Sequence, residues 1–254
     1  EPTEAVADDL GAEGQRAGIA QDGAVGAQVI RYRLGGLRHY KIKLSGDLAR
    51  DRAKFRWFRR PIGAVVAHSV RVDANNLWGD PADAIAHLRA LDQPLVGVEE
   101  PLAANDLDGF AHLSRAIDTP IILDESLLRP GQLERLPDDG ARWILNCRVS
   151  KSGGLLRSLQ LIEAAVDHGL GVIVGAHVGE SSLLTRAGLA AAAAAGEALV
   201  AQEGAFGDRL LQHDLCAEPL MFGRAGRLGP DQLAVVGPHG LGIEVRPDRV
   251  RLDD

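Results

Sequence analysis

Short apolar runs alternate with longer amphipathic stretches along most of this chain. The runs predict strands at Arg16–Ala20, His39–Leu44, Ser69–Asp73, Leu95–Glu99, Pro120–Asp124, Trp143–Arg148, Gly171–His177 and Leu199–Glu203. Several are near-continuous Val/Ile/Leu, the pattern of parallel strands covered by helices on their outer side. Helices fall between them. Asp80-Pro81 supplies an N-cap and a proline at the first helical position, opening Ala82–Leu91. Asn105 or Asp106 caps a helix running through Ala116, and Gly153-Gly154 leads into Leu155–Asp167, which Gly169 ends. The alanine run Ala190–Ala195 reads as a tightly packed helix closed by Gly196. Eight strand–helix units of about 25–30 residues predict an α/β fold of the TIM-like (β/α) barrel type rather than a doubly wound sheet. Residues 1–14 are polar and irregular, as in a linker, residues 15–218 form the barrel, and a Gly/Pro-rich segment at 219–254 is surplus to it.

Composition narrows the function classes. With 254 residues, 46% hydrophobic and 25% charged, the chain has the balance of a soluble globular protein. A net charge of −7 argues against a nucleic-acid partner held through phosphates. No apolar run approaches the ~18 residues of a membrane span, and the acidic start Glu1-Pro2-Thr3-Glu4 has no signal-peptide character. Cys147 and Cys216 form neither a disulfide framework nor a ligand spacing, so buried free thiols in the cytoplasm are expected.

The chemistry starts at Tyr40-Lys41-Ile42-Lys43-Leu44. A strand's side-chain period of two puts Lys41 and Lys43 on one face, and paired inward ammonium groups are costly without a negative or catalytic partner. That partner is legible at three strand ends. Asp73, Glu99 and Asp124 each finish a strand and stand about 25 residues apart, one βα unit each. Active sites of such barrels lie at these C-terminal ends, and three carboxylates there make an all-oxygen half-shell suited to Mg²⁺. Glu100 and Glu125 follow directly and point to the other face. Asn75 belongs to the site's margin, as a hydrogen-bonding group or as an Asx turn. Lys43 lies nearer the strand end than Lys41. With Lys41 and a metal beside it disfavouring a second positive charge, it is the expected base. Metal on a carboxylate and lysine at its α-carbon together suit enediolate formation.

Lys41-Ile42-Lys43, Asp73-Ala74-Asn75, Glu99-Glu100-Pro101, Asp124-Glu125-Ser126 and Ser150-Lys151-Ser152-Gly153-Gly154 occur in the order seen in the enolase superfamily. Over about residues 36–245 the chain most resembles the mandelate racemase/muconate lactonizing enzyme branch. The resemblance implies a (β/α)7β-type barrel, Mg²⁺ on Asp73, Glu99 and Asp124, and Lys43 as the base that removes a proton α to a carboxylate. It also implies an N-terminal capping domain, largely absent from these residues, with 1–14 as its linker or remnant and 219–254 packing on it. Oligomers are common in the family, which leaves a homo-oligomer open.

The pattern departs from the family at strand six. Two-lysine racemases and epimerases carry their second lysine there, where this chain has Arg148. Alternation points Asn146 and Arg148 inward and Cys147 toward the helices. Arginine is a poor proton acceptor and a good counter-charge. His177, ending strand seven, matches a racemase-type histidine but lacks the aspartate that partners it on strand six; a hydrogen-bonded core histidine is the plain alternative. Glu203 matches a racemase-like glutamate that donates to the substrate carboxylate, or caps a helix. Glu180 lines the mouth or starts the next helix. The remaining histidines are expected to be structural or exposed.

The leading expectation is a Mg²⁺-dependent racemase, epimerase or cycloisomerase acting on a small carboxylate substrate. An acid-sugar or hydroxy-acid dehydratase using the same metal site is the rival within the family. A non-catalytic barrel that binds a ligand or partner is the alternative of another class.

Overall fold

The computed structural model describes residues 3–6, 29–59, 69–204, 207–228 and 240–250. Eight parallel strands close into a barrel in sequence order: β1 (Thr3–Val6), β2 (His39–Lys43), β3 (Ser69–Asp73), β4 (Gly97–Glu99), β5 (Ile121–Leu123), β6 (Trp143–Arg148), β7 (Gly171–Gly175) and β8 (Leu199–Glu203). β1 pairs with both β2 and β8, which closes the ring. The strand expected at Arg16–Ala20 lies outside the described residues. The closing strand instead comes from Thr3–Val6, within the stretch that reads as linker by composition. β4, β5 and β7 are shorter than their apolar runs, so Asp124 and His177 stand just beyond strand ends rather than within them.

Helices α1 (Leu48–Arg59), α2 (Pro81–Leu91), α3 (Leu107–Ile117), α4 (Leu155–Asp167) and α5 (Ser182–Ala195) cover the outside. The caps are those the sequence predicts. Asp80 accepts from the Ala82 N–H at 2.8 Å, and Asp106, rather than Asn105, accepts from Gly109. After β5 there is no α-helix, only a 3₁₀ segment at Pro130–Arg135. A short helix, α6 (Gly207–Leu210), follows β8.

Strand alternation sorts the interior into two compartments. Outward-facing residues such as Ile42, Val72, Val98, Leu123, Cys147 and Val174 join the helix faces in the main core. Inward-facing Ile122, Ile144, Ile173 and Ala201 form a small apolar plug within the barrel. The alanine-rich face of α5 buries Ala187, Ala191, Ala192 and Ala195, small side chains that let the helix approach the sheet closely. Both cysteines are free and buried.

The described part of the C-terminal segment lies against the barrel. Ser182, opening α5, donates to Asp214 at 2.7 Å and accepts from the Leu220 N–H at 2.6 Å. Cys216 and Val245 form an antiparallel bridge, and the Ala225 N–H donates to the Gly35 carbonyl. Among the described residues no helix is long and apolar enough to cross a membrane.

Candidate active site

The inward face of β2 splits the two lysines. Lys41 is buried, with Nζ 2.9 Å from Glu203 Oε1 and 3.3 Å from Glu99 Oε2. Burial disfavours its ammonium, yet the Glu203, Glu99 and Asp73 carboxylates more than offset this and hold it above the usual lysine range. Lys41 is thus a fixed cation of the barrel interior rather than a proton carrier. Lys43 differs: its side chain is 38% exposed, with Nζ 3.3 Å from Asn75 Oδ1 and 3.9 Å from Asp73 Oδ2. Of the two, only Lys43 can meet a substrate.

Register brings the acids to the same end. Lys43 pairs with Asp73, and Asp73 with Glu99, across β2, β3 and β4. Asp73, Glu99 and Asp124 are all buried. Burial first, then the charge of Glu99, pushes Asp73 up to about 7 against the pull of Lys41 and Lys43. The Asn75 N–H donates to Asp73 Oδ1 at 3.1 Å, so Asn75 both turns the chain, with φ 47°, and braces the acid.

Asp124 is held from two directions. Its Oδ2 meets Arg148 Nη2 at 2.7 Å and Lys151 Nζ at 2.8 Å. Its backbone is fixed by Glu100, whose carboxylate accepts from the Asp124 N–H (2.8 Å), the Ser126 N–H (2.9 Å) and the Ser126 hydroxyl (2.8 Å). Glu100 does point away from the site, as alternation requires, yet it positions the loop that carries Asp124. Replacing Glu100 with Ala strands three buried donors and is expected to cost about 3 kcal/mol in urea unfolding. An unchanged midpoint would show the loop is held by other means.

Arg148 and Asn146 enter from β6, opposite β2. Asn146 Nδ2 donates to Glu99 Oε1 at 2.9 Å, and Arg148 Nη2 lies 3.5 Å from the same oxygen. Gly175 on β7 makes this approach feasible, since a Cβ there would stand 2.2 Å from Asn146 Oδ1. Burial disfavours the guanidinium, but Asp124, Glu203 and Glu99 together raise Arg148 further, so it stays charged.

Glu203 lies among the interior ions. It is fully buried, and Arg71 Nη2 meets its Oε1 at 3.0 Å beside Lys41. Burial would push Glu203 up, but Lys41 and Arg71 override it and hold the carboxyl down at about 2. Its Oε1 meets both internal cations, while its buried Oε2 accepts no hydrogen bond. Arg71 was missed by reading β3 only at its end. An arginine two residues before Asp73 shares its inward face, and that spacing was the available signal.

On the other side of the barrel mouth, His177 Nδ1 lies 2.8 Å from Ser150 Oγ, and Ser150 Oγ donates to Glu180 Oε1 at 2.7 Å. Ser150 opens the Ser150-Lys151-Ser152-Gly153-Gly154 motif, but the motif assigns it no role. His87 and His39 are structural, bonded to Asp51 and Ser69.

The donor chemistry fits a hard divalent cation. Asp73, Glu99 and Asp124 offer oxygen only, and the buried Glu99 Oε2 and Asp124 Oδ1 accept no hydrogen bond. Lys41 lies 3.3 Å from Glu99 Oε2, while Lys43, Arg148 and Lys151 stand on other oxygens of the three acids. Among the described residues, no three His, Cys, Asp or Glu side chains are drawn together closely enough to hold a metal.

A family model described as "Enolase C-terminal domain-like" matches residues 24–249. N-succinyl-L-Arg/Lys racemase of Bacillus cereus is 26% identical over 220 residues, 85% of this chain and 55% of that protein. o-Succinylbenzoate synthase of Thermobifida fusca is 37% identical over 153 residues, 60% of this chain and 46% of that protein. The muconate lactonizing enzyme structure from Pseudomonas fluorescens superposes with a TM-score of 0.73 at 27% identity, covering 98% of this chain and 62% of that one. The chain thus spans about half the length of the curated relatives it matches. Its barrel, its strand-end acids and the extent of the match agree: the chain belongs to the enolase C-terminal domain-like family, within the mandelate racemase/muconate lactonizing enzyme branch of the enolase superfamily.

Proposed function

We propose that this protein is a Mg²⁺-dependent isomerase that removes the proton α to the carboxylate of a small substrate. The observation that carries this reading is the placement of Lys43. It is the accessible ammonium at the end of β2, in register with Asp73 and, one strand further, Glu99. Asp73, Glu99 and Asp124 would hold the metal, which when bound supplies Lewis-acid stabilisation of the substrate carboxylate as its α-proton leaves.

The chain's own residues do the rest. Unprotonated Lys43 takes the α-proton. Arg148, charged and on the opposite strand, supplies a fixed counter-charge, and Lys41 pairs with Glu203 and Glu99 from below. His177 delivers a proton from its side of the mouth. Delivery to the α-carbon gives racemisation or epimerisation, an outcome that the relatives named as racemases and epimerases support.

The test is ¹H–²H exchange at the α-carbon in D₂O with Mg²⁺, followed by NMR. N-succinyl amino acids, dipeptides and muconolactone form the panel, drawn from the relatives' names and titles. Exchange with at least one is expected, and silence across every α-proton-bearing acid tried would sink the mechanism. Metal binding is tested separately. Asp124→Asn is expected to weaken Mg²⁺ in calorimetry by more than the about 10–100-fold that losing even an outer-shell partner costs. Undiminished affinity would remove Asp124 from the metal set.

A further inference from the structure

We propose that Ser150 and Glu180 form a proton-counting lock that holds His177 in its Nδ1–H tautomer and leaves Nε2 as the atom that exchanges a proton with substrate. The inference deepens the isomerase reading and rests on it for its catalytic meaning.

Local geometry sets the lock. Ser150 sits in the turn after β6, pinned because the Lys151 and Ser152 N–H groups both donate to the Arg148 carbonyl at 2.9 Å. His177 lies two residues past β7 and opens a turn closed by the Glu180 N–H donating to its carbonyl. Gly179, at φ +87°, occupies the turn position that a side chain rarely tolerates, and it brings Glu180 back beside His177. The three side chains meet from two different loops.

The tautomer follows from the number of protons available. A serine hydroxyl has one proton and two lone pairs. Here that proton goes to the Glu180 carboxylate at 2.7 Å, so Ser150 Oγ can only accept from His177 at 2.8 Å. Nδ1 must then carry a hydrogen, and in the neutral ring Nε2 is left with its lone pair. Nε2 makes no hydrogen bond to any described residue, and the side chain is 48% exposed. The same polarity argues against Ser150 as a nucleophile, because its proton points to Glu180 and not to the imidazole.

In this arrangement Ser150 and Glu180 are positioning residues that replace the missing strand-six aspartate by a two-step path to a carboxylate on the strand-seven loop. The proton balance closes. Lys43 takes one proton from the α-carbon. Imidazolium His177 gives its Nε2 proton to the opposite face of that carbon and returns to the neutral Nδ1–H form. Solvent then removes the proton from Lys43 and reprotonates Nε2.

The test reads the tautomer directly, by long-range ¹H–¹⁵N spectra of histidine-labelled protein at a pH where the ring is neutral. His177→Asn identifies the signal. The wild type is expected to show Nδ1 protonated and Nε2 bare. In Glu180→Ala the freed hydroxyl turns to donate to Nδ1, so the proton is expected to move to Nε2. The Glu180 side chain is 10% exposed, so a modest loss of thermal stability is expected, with a cooperative melt showing that the fold persists. The same variant should keep Lys43-side α-exchange while inversion of configuration falls about tenfold or more. An Nε2–H tautomer in the wild type, or an unshifted Nδ1–H in Glu180→Ala, overturns the lock. The spectra need no substrate, so the two readings fail separately: exchange with the wrong tautomer sinks only the lock, and a locked histidine without exchange sinks only the isomerase.

Discussion

Lys43→Ala is expected to lower α-proton exchange by at least about 10³-fold, within the range general-base catalysis contributes. The argument rests on position. Lys43 is in contact with Asn75 and 3.9 Å from Asp73, with its side chain 38% exposed and outside the hydrophobic core. Stability is therefore expected to change by no more than about 1 kcal/mol, and Mg²⁺ binding should persist because all three carboxylates remain. A folded, metal-binding variant without exchange assigns the base. Retained exchange in Lys43→Ala would move the base elsewhere, with Lys151 the next ammonium at the mouth, already paired to Asp124.

How far the sequence reaches depends on the kind of interaction. Periodicity located seven of the strands, because each buries an apolar outer face, and the caps at Asp80 and Asp106 follow from local hydrogen bonds. Alternation also orients Asn146, Cys147 and Arg148 as found. Position along a strand does not reveal depth, however. Lys41 and Lys43 look equivalent in a period of two, yet one layer lower Lys41 meets Glu203 and Glu99, and the higher one meets solvent. Long-range pairs such as Arg71 with Glu203, separated across the whole barrel, depend on closure of the ring and leave no local signature. Ser150 is marked only as part of a motif, and its pairing with His177 arises from loops that the fold brings together. Motif order drew out the acids together with Lys41, Lys43 and Arg148, while which carboxylate each cation meets depends on the folded barrel.

Glu203→Gln is expected to cost about 3–5 kcal/mol in denaturant unfolding, the penalty for breaking a buried ion network by removing one partner. The glutamine keeps the volume, so the loss is electrostatic. Lys41 and Arg71, both buried and side by side in register on β2 and β3, would be left with Glu99 and Asp73 as the nearby anions. The sign with pH is fixed by the direction of the shift. Lys41 and Arg71 overcome burial and hold Glu203 at about 2, below its ordinary value of 4.5. Its contribution is therefore complete above about 4.5 and is lost as the pH falls from there through about 2. The gap between wild type and variant should be full at pH 7 and narrow on acidification. A gap that is small at pH 7, or that widens toward pH 3, would mean the central ions are spectators and that the apolar shell alone holds the barrel on which Lys43 is mounted.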